Sequence, residues 1–263
     1  MSNSQTANLG SLFGSAVAQG AVSDGTLDDI GVTDLGDEIM QGLSVDADSI
    51  TATEVILVGI LPDDSGSIRM SGNAQTVRDG HNLVIDSLGG AGSKKRDGIL
   101  MMTRYLNGRV LFPFVPIGQA VRMDSHNYDP NLGTPLYDQT VVFLLTMLAK
   151  YQEFRSIGVP CRTISLVVTD GADVHSVKQT EETVAKLVKD MLLGEDHIIS
   201  GMGIGEETFF RPIFQQMGIR DEWILTPGNN QKEIRQAFQT FSQSAVRASQ
   251  HAGAFSLMGG FGG

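Results

Sequence analysis

The stretch EVILVGILPDDSGS, residues 54–67, decides how the rest of the chain is read. Its first eight residues form an unbroken apolar run. A strand covered on both faces has this pattern, and such strands belong to parallel sheets packed between helices. The run stops at a polar loop, Asp63-Asp64-Ser65-Gly66-Ser67.

Outward from this strand, apolar periodicity switches regularly between the strand and helix types. Residues 71–88 read as a helix, with Ala74, Val77, Val84, Ile85 and Leu88 on one stripe. Residues 98–106 and 110–115 read as strands joined at Asn107-Gly108, a hairpin turn signal. Helices follow at 136–156, 176–193, 206–217 and 231–248, and strands at 163–169, 197–203 and 223–226. In the helix at 136–156, Val141, Leu144, Leu145 and Leu148 face inward. In the helix at 176–193, Val177, Val184, Leu187, Val188 and Met191 do so. This alternation predicts an α/β chain: a Rossmann-like three-layer sandwich. Its central sheet is mostly parallel, with one antiparallel edge strand and helices on both faces. Ligands in such sheets bind beyond the carboxyl ends of the strands.

Three regions are predicted. Residues 1–50 form an acidic, Gly/Ser/Ala-rich extension, 51–250 the α/β domain, and 251–263 a Gly-rich tail. The first holds eight acidic residues and no Lys or Arg, so it carries most of the formal net charge of -11. Its composition predicts a flexible leader whose short apolar clusters, 9–13 and 39–43, are available for docking. The tail carries Phe255, Leu257, Met258 and Phe261 among its glycines.

The acidic balance argues against nucleic acid and anionic membrane as partners, since both need surplus cations. The single cysteine, Cys161, excludes an internal disulfide and a multi-cysteine zinc site. No apolar stretch reaches the ~20 residues that span a bilayer. The start, MSNSQTANLG, lacks the basic and apolar segments of a signal peptide. A cytoplasmic location is the resulting expectation.

Three separated segments place Asp63, Ser65, Ser67, Thr134 and Asp170 at strand ends on one edge of the predicted sheet. All five offer oxygen alone. Hard oxygen donors suit Mg²⁺, with Mn²⁺ or Ca²⁺ as less strict occupants. Two carboxylates balance a divalent charge and leave the ion able to attract an incoming carboxylate. Asp64 lies outside this pattern, and its charge is expected at the rim.

The order Asp63-x-Ser65-x-Ser67, Thr134, Asp170-Gly171 resembles the metal-ion-dependent adhesion site of von Willebrand factor type A domains. The segments around Asn127-Tyr128-x-Pro130-x-x-Gly133-Thr134-Pro135-Leu136-Tyr137-Asp138 and Thr169-Asp170-Gly171-Ala172-Asp173 resemble the family's bacterial intracellular branch. The likeness covers residues 54–247. It implies that Ser65 and Ser67 bind the metal directly and that Thr134 binds it directly or through water. Asp63 and Asp170 bind directly or sit just behind. A partner protein's Asp or Glu supplies the remaining ligand, and movement of the last helix is linked to ligation.

Other motifs carry bland readings. Gly201-Met202-Gly203-Ile204-Gly205-Glu206 resembles a phosphate loop, but Glu206 stands where a dinucleotide fingerprint needs Gly. His126 and His175 are expected as loop residues flanking the site, His81 as a satisfied core histidine, and Lys94-Lys95-Arg96 as a solvated turn. No Gly-x-Ser-x-Gly elbow supports a serine nucleophile.

The resulting expectation is a Mg²⁺-dependent protein-interaction module without catalysis. The resemblance points to partners such as a MoxR-type AAA+ ATPase, or a kinase or phosphatase, in bacterial stress or defence systems. Homo-oligomerisation is compatible with this reading. Two competing readings are a structural subunit assembled through its tails and a metal-dependent hydrolase using Asp63 or Asp64. The hydrolase lacks a second carboxylate at position 65.

Overall fold

The computed structural model describes residues 3–44, 46–90, 97–250 and 258–262. Six strands form one sheet: β1 (Val55–Pro62), β2 (Ile99–Arg104), β3 (Val110–Pro116), β4 (Cys161–Thr169), β5 (His197–Gly203) and β6 (Ile224–Leu225). Their order is β3-β2-β1-β4-β5-β6, and every pairing is parallel except that of β2 with β3. β1 runs at the centre, in register with β4 from Val55↔Cys161 to Pro62↔Val168. Every residue of β1 and β4 is buried, as the apolar run implied. The Rossmann-like α/β expectation therefore holds, antiparallel strand included.

Before β1 lie α1 (Asn3–Ala18), α2 (Asp24–Ile30) and α3 (Gly36–Leu43). After it come α4 (Gly66–Met70), α5 (Ala74–Gly89), α6 (Leu136–Ser156), α7 (Glu181–Leu193), α8 (Glu207–Gln216) and α9 (Gln231–Gln250). One layer pairs α5 with α9, and the opposite layer holds α6 and α7. Two glycines set how closely these layers approach. A Cβ on Gly59 would lie 2.5 Å from Met147 Sδ, and one on Gly80 would lie 2.1 Å from Phe238. Both positions are therefore contact points where no larger residue fits without repacking.

The described residues among 1–50 depart from the flexible leader that composition predicts. α1 and α3 pack on the outer side of α6, and α2 packs on α7. Phe13, Ala16, Ile30, Leu35 and Ile39 are buried within the common core. Composition misleads because it averages over position. Seven of the eight acids are exposed, while the apolar residues recur at helical spacing and meet an α6 that is apolar on both sides. Polar bonds fix the packing. Asp190 accepts from Ser23 N (2.9 Å) and Thr26 Oγ1 (2.7 Å), Gln179 Nε2 donates to Ile30 O (2.9 Å), and Glu153 accepts from Ala47 N (3.0 Å).

Three boundaries also differ from the sequence reading. The helix expected over 71–88 begins instead at Ala74, as α5: a separate short helix, α4, ends at Met70, and Gly72 in a left-handed conformation (φ +76°) parts the two. The helix expected from 176 starts at Glu181, with Thr180 and Thr183 forming a reciprocal cap. Residues before it are held otherwise: Asp138 accepts from the backbone N–H groups of Val177, Lys178 and Gln179 at 2.7–3.1 Å. Val177, expected inward, is 87% exposed. The last strand shrinks to β6, with Trp223 in the preceding turn.

The tail's Phe261 stacks edge-on against Trp223 (centroids 5.1 Å apart), and Met258 packs against the core. Phe255, Leu257 and the Lys94-Lys95-Arg96 cluster lie outside the described residues. Among the described residues, no helix is long and apolar enough to cross a membrane.

Candidate metal-binding site

The parallel strands β1 and β4 end side by side, and their carboxyl ends deliver Asp63 and Asp170 to the same edge. The loop after β1 turns at once into α4, with Ser65 at its N-cap in an extended conformation. Asp63 is fully buried. Its Oδ1 accepts from Ser65 N (2.7 Å) and its Oδ2 from Thr169 Oγ1 (2.8 Å). A chain of short hydrogen bonds then links the motif: Ser65 Oγ and Ser67 Oγ lie 2.8 Å apart, and Ser67 Oγ donates to Asp170 Oδ1 at 2.6 Å.

The third segment is stitched to the first by its backbone. Asn131 N and Leu132 N donate to Asp64 O (3.0 and 3.2 Å), and Gly66 N donates to Leu132 O (3.0 Å). Thr134 follows, almost buried, with its N–H donating to His175 Nδ1 at 2.9 Å and its carbonyl accepting from Val174 N and His175 N. A Cβ on Gly171 would lie 4.0 Å from Thr134 Oγ1. The Thr134 hydroxyl is thus beside the Asp170-Gly171 turn. Asp63, Ser65, Ser67 and Asp170 are joined by direct bonds, and Thr134 lies next to them.

Burial raises the Asp63 carboxyl above its usual range, against the opposing hydrogen bonds from Ser65 and Thr169. Asp170 is pushed up to about 6, first by burial and further by the neighbouring Asp63 charge. Among the described residues, no ion pair joins either carboxylate to a Lys or Arg. Two desolvated carboxylates, one raising the other, with three hydroxyls alongside, fit a hard divalent cation: it would relieve both burial and repulsion. Among the described residues, no group of three or more His, Cys, Asp or Glu forms an alternative metal cluster.

Asp64 is not at the rim, contrary to the sequence reading. It is 4% exposed and its carboxylate accepts from Asn107 N (3.0 Å) and Asn107 Nδ2. The cause is geometric: consecutive residues after a strand point to opposite sides, so Asp63 faces the site and Asp64 faces the β2–β3 turn. Burial lifts Asp64 to about 6.

Two supporting residues, Tyr128 and Thr169, have no role in the sequence reading, and a third, His175, is expected there only as a loop residue flanking the site. Tyr128, fully buried, donates from its hydroxyl to Asp63 O. Thr169 holds the Asp63 carboxylate, and His175 fixes Thr134. His126 instead lies in an exposed turn, its N–H donating to Asp124 Oδ1. His81 is a core residue bonded through Nε2 to Thr103 Oγ1 (2.9 Å), as expected. The Gly201–Gly205 run is a seat for α8. Added Cβ atoms at Gly201 and Gly203 would meet Phe214 at 2.6 Å and Phe210 at 2.2 Å.

No family model matches the sequence, and no curated protein does. Solved structures share the fold. The pilus adhesin SpaC of Lactobacillus rhamnosus GG superposes with a TM-score of 0.54 at 11% identity, covering 73% of this chain and 31% of its own. Proximal thread matrix protein 1 from the mussel byssus, with a zinc-occupied MIDAS motif, gives 0.50 at 16% identity, over 74% of this chain and 48% of its own. A von Willebrand factor type A protein from Catenulispora acidiphila gives 0.46 at 16% identity, over 76% and 43%. The chain thus spans less than half the length of each of these three structures.

Proposed function

We propose that this chain, which has the von Willebrand factor type A fold, is a Mg²⁺-dependent protein-interaction module that captures an acidic side chain of a partner. The observation that carries the reading is the bonded series Asp63–Ser65–Ser67–Asp170 at the strand ends. Asp63, Ser65, Ser67, Thr134 and Asp170 would hold the ion, with Mn²⁺ or Ca²⁺ as substitutes. When bound, the ion supplies a Lewis-acidic position for an outside carboxylate.

The chain's own residues prepare that position. Thr169 and Ser65 N–H orient Asp63, Tyr128 anchors the backbone beneath it, and His175 holds Thr134 in place. The zinc-occupied motif of the mussel protein of similar fold supports a divalent metal here. A module without turnover is favoured because, among the described residues, no cationic side chain pairs with Asp63 or Asp170 to hold a transferring phosphoryl group.

The partner is a protein bearing Asp or Glu, such as a MoxR-type AAA+ ATPase or a kinase or phosphatase of a bacterial stress or defence system. The location is cytoplasmic, and self-association is compatible with the site. A pull-down from native lysate tests this, using wild type and a Ser65→Ala/Ser67→Ala variant, each with Mg²⁺ and with EDTA. Retention by wild type in Mg²⁺ alone is expected. Equal retention in all four arms would overturn the metal-bridged reading.

A further inference from the structure

We propose that the partner segment presents a large apolar side chain within two residues of its metal-binding acid, seated in a groove between Met70 and Phe209. This rests on the metal-bridged reading and specifies the chemistry of its partner.

The groove has a volume of about 450 Å³, and its lining includes Ser67, Met70, Asp170, Glu206, Phe209 and Phe210. Two members of the candidate metal site therefore form one of its walls. A segment delivering a carboxylate to that wall must pass over the rest. Met70 is 83% exposed and Phe209 49% exposed. Because both line one groove beside the site, they are not the singly scattered apolar residues of an ordinary surface.

Their exposure follows from how the surrounding helices are built. Ser67 and Met70 stand three residues apart on α4, so they are neighbours on one helix face. The short helix that brings a hydroxyl to the site therefore also brings the thioether beside it. On the other side, Phe210 and Phe214 of α8 are committed to the glycine seats of β5. Phe209, one position before Phe210, is directed away from that seat. Its ring stands edge-on to Phe210, with centroids 4.9 Å apart and planes at 89°. Phe210 thus supports Phe209 from beneath, while Met70 supplies an adaptable opposing wall.

Charge adds to the groove's chemistry. Its lining joins Ser67 and Asp170, which accept an anion once a divalent cation is held there, to the apolar Met70 and Phe209 and the exposed Glu206. The matching occupant is an extended segment with an acid, then a large aliphatic or aromatic residue. A Lys or Arg is favoured over a second acid beside Glu206.

Selection from a random peptide library on the full chain, in Mg²⁺ and in EDTA, tests this. Wild type is expected to enrich, in Mg²⁺ alone, peptides with Asp or Glu and a large apolar residue within two positions. Met70→Ser/Phe209→Ser is expected to keep the acid preference and lose the apolar one. It should bind the best wild-type peptide about tenfold more weakly, with unchanged calorimetric binding of Mg²⁺ alone. Mg²⁺-dependent acidic peptides with no apolar neighbour in the wild-type pool would overturn this inference and leave the metal-bridged reading standing. A wild-type pool without Mg²⁺-dependent acids would overturn both. The wild-type pool decides the matter even if the double variant folds poorly.

Discussion

The Asp64 carboxylate accepts both the backbone and the side-chain N–H of Asn107, tying the loop after β1 to the β2–β3 turn. Asp63, its neighbour, faces the opposite way into the site. Two adjacent acids thus serve different ends, one fastening the scaffold and the other lining the candidate metal position. Asn107→Ala removes a donor from a buried carboxylate and is expected to cost about 1–3 kcal/mol of stability. Calorimetric titration with Mg²⁺ should be preserved. Loss of Mg²⁺ binding with stability intact would place Asp64 in the site instead.

Divalent cations should stabilise the fold through Ser65 and Ser67. At a hundredfold excess over the dissociation constant, mass action adds about 2.7 kcal/mol. That corresponds to a melting shift of roughly 5–10 °C for a chain near this size. Ser65→Ala/Ser67→Ala should show no shift with Mg²⁺ or Mn²⁺ in the same thermal melt. An equal shift in both proteins would locate the ion elsewhere.

Docking of the N-terminal helices makes a residue-level claim. Ile39 is fully buried, whereas its neighbour Asp37 is exposed. Ile39→Ala should cost about 2–5 kcal/mol in urea unfolding, and Asp37→Asn should change stability by less than about 0.5 kcal/mol. If Ile39→Ala is neutral, the leader does not share the core.

α6 approaches the sheet closely at Gly59. Its missing side chain makes room for Met147 and Phe143. Gly59→Ala should destabilise by about 1–3 kcal/mol through overpacking. Met147→Ala in the same chain should recover part of that loss, because it opens the space the new methyl needs. Additive costs in the double variant would show that the two residues do not share this space.

Burial of imidazole makes stability depend on pH. His197 is bonded to Thr163 Oγ1 at 2.8 Å, and burial lowers its pKa to about 3. His81 is lowered to about 4 for the same reason. In the unfolded chain each binds a proton near the ordinary value of about 6.5. The unfolded state therefore holds more protons below that pH, and stability falls as pH drops from about 6.5 toward the folded-state values. At about pH 5, each histidine should have cost on the order of 2 kcal/mol. Urea midpoints of wild type and His197→Gln, followed from neutral to acid pH, should converge. A constant gap between them would refute the linkage.

Much of this molecule is legible in sequence because its strands are buried on both faces. Residues 54–61 and 163–169 announce themselves as apolar runs, and α6 spans the 136–156 predicted, starting just after Pro135. Non-local effects are not legible in this way. Asp138 captures three N–H groups some forty residues away and so delays α7 to Glu181. The leader's apolar residues gain meaning only once α6 offers them a second face. The same contrast holds at the site. The five oxygen-bearing residues stand in a motif, whereas Tyr128, Thr169 and His175 support them through contacts that spacing does not encode.

The packing of the leader on α6 also constrains the order in which the chain is made. Glu38 meets Gln139, which is 101 residues later in synthesis. At about 5–20 residues per second, that interval lasts roughly 5–20 s on the ribosome. Throughout it, the hydrophobic sides of α1 and α3 are without the surface that will cover them. Burial of those apolar sides is therefore timed by the emergence of α6.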